Sequence, residues 1–139
     1  MSAQYNTKKE IECLAKTIYH EARGEPEIGK KAVAIVLMNR AKSANFSNSI
    51  CRVVLEEGQF PWKLNRRIAK KDAQTFMKIR KLATSLYKSY HVKRRLPRGL
   101  TILRNALFFS KKGFKNRNLK FVAKIGSHRF YTVIGSEVH

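Results

Sequence analysis

Seven consecutive apolar residues, Ala32-Val33-Ala34-Ile35-Val36-Leu37-Met38, leave a helix no polar side to turn toward water. Such a helix has to be enclosed by the rest of the chain, so the sequence predicts a buried central helix with other elements packed around it. Pro26 suits its first position and Asn39-Arg40 forms its polar end. Upstream, apolar residues fall at Ile11, Leu14, Ala15, Ile18, Tyr19 and Ala22, a helical spacing over three turns, and Thr7-Lys8-Lys9-Glu10 has the spacing of a capping box. This first helix is expected to stop near Arg23-Gly24. Glycine terminates helices, and the residue before Pro26 is pushed out of the α region.

The remaining pattern runs from helix to strand. Ser47 can cap a short helix carrying Ile50, Val53, Val54 and Leu55, which Gly58 would end before a Gln59-Phe60-Pro61-Trp62 loop. Asp72 to about Tyr90 reads as one long helix through Phe76, Ile79, Leu82, Ala83 and Leu86, with a basic outer face. After the charged connector from Lys93 to Gly99, Ala106-Leu107-Phe108-Phe109 predicts a short strand. Phe121 to Ile125 and His128 to Val133, joined by Gly126-Ser127, predict a hairpin with a glycine-first two-residue turn. The expected class is α+β, mainly α, with a small C-terminal β-hairpin or sheet. At 139 residues it should form one domain, 1–139, with no separate binding module.

Charge narrows the partners. Nine Asp and Glu face thirty Lys and Arg, a formal net charge of +21. Such a field attracts polyanions: nucleic acid, anionic lipid or the anionic polymers of a bacterial envelope. Lys88 to Arg98 and Lys111 to Lys120, with Phe114 interleaved, would suit phosphate contacts and base stacking, which makes a nucleic-acid-binding protein the competing class. Met1 to Asn6 lack a secretory signal and no apolar run approaches about 20 residues. Synthesis in the cytoplasm is therefore expected. Cys13 and Cys51, 38 positions apart and without a CxxC, are expected to be reduced, half-buried thiols, and neither a metal nor a cofactor is expected.

In a chain this poor in acid, the stretch Tyr19-His20-Glu21-Ala22-Arg23-Gly24-Glu25-Pro26 holds two carboxylates four residues apart. Cleaving a glycosidic bond needs a proton on the leaving oxygen, hence a carboxylic acid kept neutral. Glu21, in the last turn of the first helix, meets the negative end of the helix dipole, and aromatic walls from Tyr19 or Trp62 would add desolvation in the same direction. Arg23 and the positive field oppose both. Ordinary glycosidases use a second carboxylate roughly 5–5.5 Å or 6.5–9.5 Å away. Glu25 is the nearby candidate, but Gly24 and Pro26 break the helix between the two, so capping the second helix or holding Arg23 is the favoured role. His20-Glu21 matches the first two positions of a zinc-protease motif, whose second His is replaced by Gly24.

Taken in order, Leu14 to Pro26, Ala32-Val33-Ala34, Asn39-Arg40, Gly58-Gln59-Phe60 with Trp62, Ala106-Leu107-Phe108-Phe109 and Gly126-Ser127-His128-Arg129-Phe130-Tyr131 resemble the cell wall hydrolase family of spore-cortex-lytic, SleB-like enzymes. The resemblance spans most of the chain, with positions about 63 to 100 adding little. It implies a compact lysozyme-like fold that cleaves the MurNAc–GlcNAc bond of peptidoglycan as a lytic transglycosylase, with Glu21 as the catalytic acid. A transglycosylase needs no second carboxylate, because the muramic O6 hydroxyl attacks internally. That suits an acid-poor chain.

Substrate contacts are expected from Glu25, Gln59, Phe60, Trp62, Phe109, His128 and Tyr131, each with a plainer alternative where the residue type supplies one. Phe60 and Trp62 can be core anchors, His128 a solvated turn residue and Asn39 a buried, satisfied amide. His20 stands where the family carries a small residue. The expected partners are peptidoglycan glycan strands, with anionic envelope polymers or lipids held by the basic surface, and the expected state is a monomer. Membrane disruption by the basic helix would add to wall cleavage. A bacteriophage endolysin, reaching the periplasm or wall after release or with the virion, fits these features.

Overall fold

The computed structural model describes the backbone of residues 3–56 and 67–135 and, within them, the side chains from Asn6 onward. Four α-helices precede a three-stranded sheet: α1 Ala3–Ala22, α2 Glu27–Lys42, α3 Ile50–Leu55, α4 Ala73–Leu86, β1 Phe108–Ser110, β2 Leu119–Ile125 and β3 His128–Val133. The fold is mainly helical α+β. The sheet order is β1-β3-β2, antiparallel throughout.

The apolar run behaves as its composition requires. Every residue from Ala32 to Met38 is fully buried, and α1, α3 and α4 contact α2 on its sides. Pro26 stands one position before α2, at its N-cap, where the missing N–H costs nothing. Along α1, Leu14, Ala15, Ile18 and Tyr19 join the same core.

The start of α1 departs from expectation. The helix begins at Ala3, so Thr7 lies inside it and no capping box forms there. Glu10 instead reaches across to the next short helix, accepting hydrogen bonds from Ile50 N (2.5 Å), Ser49 Oγ (2.9 Å) and Cys51 N (3.1 Å). A carboxylate is thus spent on the unpaired N–H groups that open α3. The cap of α3 is Ser49 rather than Ser47, with Ser49 Oγ accepting from Arg52 N.

This clamp also overturns the expectation of free thiols. Cys13 and Cys51 form a disulfide, with Cα atoms 5.3 Å apart. Glu10 holds the backbone of Cys51 one turn below Cys13, a proximity that linear spacing does not reveal.

The long helix foreseen from Asp72 to Tyr90 is three segments. A 3₁₀ turn, Lys70–Asp72, leads into α4, and the chain then widens into a π-helical turn, Tyr87–Val92. The wide turn puts Tyr90 in the core, where its hydroxyl donates to Asn39 Oδ1 (2.5 Å). Asn39 is the buried, satisfied amide allowed for above: its Nδ2 donates to Leu103 O and Ala106 O, both at 2.8 Å. Next to it, Arg40 Nε donates to Leu107 O at 2.7 Å. Two adjacent side chains at the end of α2 therefore fix the segment that enters the sheet.

In the sheet the first strand lies slightly later than Ala106–Phe109, and the hairpin is as expected, with β2 starting two residues earlier, at Leu119. Ile125 pairs with His128 across Gly126-Ser127, and Gly126 has φ +60°, the left-handed value that a glycine-first turn needs. On β3, His128, Phe130 and Thr132 face the core, while Arg129, Tyr131 and Val133 point to the other side. No helix among the described residues is long and apolar enough to cross a membrane.

Candidate active site

Glu21 sits in the last turn of α1 and is half-buried. It lines a cleft of about 500 Å³ formed by residues 20–25, the end of α1 and the turn after it, together with Lys111, which follows β1. The two acids of this cleft have different surroundings.

Glu25 neither caps α2 nor holds Arg23. The N-terminus of α2 has no side-chain cap, and Arg23 lies 3.9 Å from Asp72 with its guanidinium over the Tyr19 ring at 4.9 Å. The Glu25 carboxylate instead receives the hairpin turn: Ser127 N donates to Oε1 at 2.8 Å and Ser127 Oγ to Oε2 at 2.5 Å. These two bonds, from the hydroxyl first and the backbone second, pull its pKa below the ordinary value, against a smaller opposing effect of burial. Glu25 is thus an ionised tether between the acidic turn and the sheet. Gly126 completes the fit, since a Cβ there would collide with Glu25 Oε1.

His128 is not a solvated turn residue. It is 2% exposed, with Nδ1 4.0 Å from Glu25 Oε1 and its ring edge-on to Phe109 at 5.2 Å. Burial, more than any charge, holds its pKa below the usual histidine value, with Glu25 acting in the opposite sense. Phe109 shares that core-facing side, 6.0 Å from Phe130. Both side chains thus pack against the hairpin on its core-facing side. Tyr131 is buried too; its hydroxyl accepts from Phe114 N at 3.2 Å, and the rings of Phe114 and Phe121 stand edge-on to it at 5.2 and 5.7 Å. Gln59, Phe60 and Trp62 lie outside the described residues.

Four positions that sequence patterns did not single out for a role at this site matter here. Ser127 tethers Glu25 and Lys111 forms a wall of the cleft. Asp72 accepts from Tyr19 Oη at 2.6 Å, joining α1 to the start of α4. Arg40 is a buried guanidinium stacked over Phe46 at 5.3 Å and Phe108 at 5.2 Å. Its pKa is drawn down to about 10 by burial, with the charges of Glu56 and Glu21 opposing, so it remains a cation at neutral pH and interacts with Glu21. A charged residue two positions beyond a fully apolar helical run was the available signal for Arg40.

The comparisons with known proteins agree on the fold and the family. A family model described as Cell Wall Hydrolase matches residues 24–131, starting just after Glu21. The spore cortex-lytic enzyme of Bacillus cereus is 41% identical over 54 residues, covering 39% of this chain and 21% of that protein. That of Bacillus subtilis is 44% identical over 50 residues, covering 36% and 16%. The alignments thus span about a fifth or less of these relatives' length.

Among solved structures, the catalytic domain of Bacillus cereus SleB superposes with a TM-score of 0.64 at 24% identity over 90% of this chain and 91% of the other. The catalytic domain of the germination-specific lytic transglycosylase SleB from Bacillus anthracis gives 0.62 at 27% identity over 90% and 95%. With the family model covering most of its length and the same fold in both structures, this chain belongs to the cell wall hydrolase family.

Proposed function

We propose that this protein cleaves the MurNAc–GlcNAc β-1,4 bond of peptidoglycan as a lytic transglycosylase, as a single catalytic domain, with Glu21 as its one acid and base. One observation carries the proposal: of the two carboxylates in the cleft, Glu25 has both oxygens committed to Ser127. Proton transfer then falls to Glu21. The Glu21 carboxyl gives its proton to the glycosidic oxygen, the C1–O bond breaks, and an oxocarbenium-like centre develops at the muramic C1. The O6 hydroxyl of the same residue attacks C1, and the Glu21 carboxylate takes the O6 proton, leaving a 1,6-anhydro end and a regenerated acid. Arg40, held in place by Leu107 O, steadies the carboxylate form between the two steps. The Bacillus anthracis neighbour carries the name of this activity.

Glu21→Gln tests the assignment. It should keep the fold and its polyanion binding and abolish muropeptide release from purified sacculi; undiminished release would remove Glu21 from the mechanism. A hydrolytic muramidase with Glu25 as second carboxylate is the alternative, favoured by the presence of both acids in one cleft. Mass spectrometry separates the two, since anhydro ends mark transglycosylation and reducing ends mark hydrolysis. The biological setting we assign is wall opening by a bacteriophage. Its support is the charge of +21, which would hold a small enzyme on an anionic envelope, and its test is holin-dependent lysis on co-expression.

A further inference from the structure

Five aromatic rings form an unbroken file along the outward face of the sheet and the loop beside it. Phe46 lies 6.1 Å from Phe108, Phe108 6.2 Å from Phe114, Phe114 5.2 Å from Tyr131 and Tyr131 5.7 Å from Phe121. Cross-strand pairing puts three of them in one row, since Tyr131 pairs with Phe108 on one side and Phe121 on the other. The inner end is closed by Arg40, whose guanidinium covers Phe46 and Phe108 and whose charge interacts with Glu21. At the outer end the rings are open to solvent, Phe114 being 40% and Phe121 52% exposed.

The exposed end is held in place. Phe114 N donates to Tyr131 Oη at 3.2 Å, and Gly113, at φ +81°, lies so close that a Cβ would come within 2.7 Å of the same hydroxyl. The loop between β1 and β2 therefore depends on glycine to bring Phe114 down onto Tyr131. Arg129 Nη1 donates to Lys111 O at 2.8 Å, fixing the residue that connects this loop to the Glu21 cleft. The exposed pair Phe114 and Phe121, with Phe114 held through its backbone and its loop reaching the cleft at Lys111, lies outside the buried core. It is a binding surface prepared in advance.

Its chemistry selects the ligand. The C–H faces of pyranose rings are apolar and pack flat on aromatic rings, whereas their rims and lactyl or peptide carboxylates are polar and anionic. From Ala73 to Ser136, the stretch that carries Phe114, Phe121 and Tyr131, the chain has sixteen Lys and Arg and no Asp or Glu, so the segment bearing the exposed end of the file is strongly basic. Resting on the peptidoglycan reading above, we propose that Phe114 and Phe121, supported by Tyr131, form a distal glycan subsite that holds the strand beyond the sugars bound at Glu21.

The test uses the full chain with Glu21→Gln, so that bound strands stay intact, and adds Phe114→Ala and Phe121→Ala together. Circular dichroism confirms that both surface changes leave the fold in place. Affinity is measured for peptide-free peptidoglycan glycan strands and, as a polyanion without sugar faces, for polyphosphate. The paired substitution should weaken strand binding about tenfold or more and leave polyphosphate binding unchanged, as expected for removing two stacked rings. Unchanged strand affinity overturns the subsite. An equal loss on polyphosphate overturns it as well, because the patch would then be a generic polyanion surface. The catalytic proposal fails by a different result, cleavage retained in Glu21→Gln with Phe114 and Phe121 intact.

Discussion

Glu25 and Ser127, 102 residues apart, are joined by two hydrogen bonds that bring the far hairpin onto the turn carrying the catalytic candidate. The last element of the chain thereby supports one of the first. Glu25→Gln keeps an acceptor for Ser127 N but removes the charge from both bonds, at a cost of about 1–2 kcal/mol. The urea midpoint should fall accordingly, while muropeptide release per folded molecule is largely kept. Complete inactivation at an unchanged midpoint would establish Glu25 as a second catalytic carboxylate.

Gly126→Ala strikes the same joint from the other side. The new methyl must occupy a left-handed position and the space of Glu25 Oε1, so about 1–3 kcal/mol should be lost. Combining it with Glu25→Ala, which removes the obstructing carboxylate, should cost less than the sum of the two single changes. Strict additivity in a double-mutant cycle would show that the collision is relieved elsewhere.

Acid should weaken the fold through three groups acting in one direction. His91 is half-buried, and that burial, with the charges of Lys42 and Arg94 adding and Glu10 only partly compensating, lowers its pKa to about 4; His128 is lowered by its burial. A histidine depressed in the folded state contributes stability above about pH 6.5 and loses it as pH falls toward the folded value. Glu25, also depressed, adds its loss below its usual value of 4.5. Stability should therefore be flat from pH 7 to 8 and decline below about 6.5. Replacing His91 with Phe, which keeps a ring 4.8 Å from Tyr87, should make that decline shallower. Parallel pH–stability curves for the two proteins would exclude His91 as a source.

The Cys13–Cys51 bridge closes a loop of 38 residues. By chain entropy it should stabilise the fold by about 4 kcal/mol. Cys51→Ser should lower the urea midpoint correspondingly, and a reductant should lower the parent protein but not the variant. A reductant effect of equal size on both would exclude the bridge as its cause.

Asn39→Asp preserves shape and reverses chemistry. The amide that donates to Leu103 O and Ala106 O becomes an acceptor facing two carbonyls, in a buried site. About 3 kcal/mol or more should be lost, and proteolysis of native protein should open first in the segment 103–107. A loss below 1 kcal/mol would mean that water or the chain can replace these bonds.

What the sequence disclosed follows from the range of the forces involved. Burial of α2 was legible because an unbroken apolar run is a local signal, and Gly126-Ser127 announced its turn because glycine is favoured in that left-handed backbone. The larger errors concern partners distant in sequence. Glu10 looked like part of a box within α1 but serves α3; Cys13 and Cys51 looked unrelated; Glu25 was assigned to the start of α2 or to Arg23, two residues away, and binds Ser127. His128 seemed exposed because turns usually are, yet packing under Phe109 buried it. Glu21 lay in a recognisable stretch, whereas the ring file needed strand register to bring Phe108, Tyr131 and Phe121 into a row.

The π-helical turn at Tyr87–Val92 is a small surplus of backbone in an otherwise regular rod. Shortening it by one residue would give a straighter and locally happier helix, but Tyr90 would swing off Asn39 and leave the end of α2 to grip the sheet entry alone. The molecule tolerates an irregular spiral at its rim because the regular one would leave its centre unlatched.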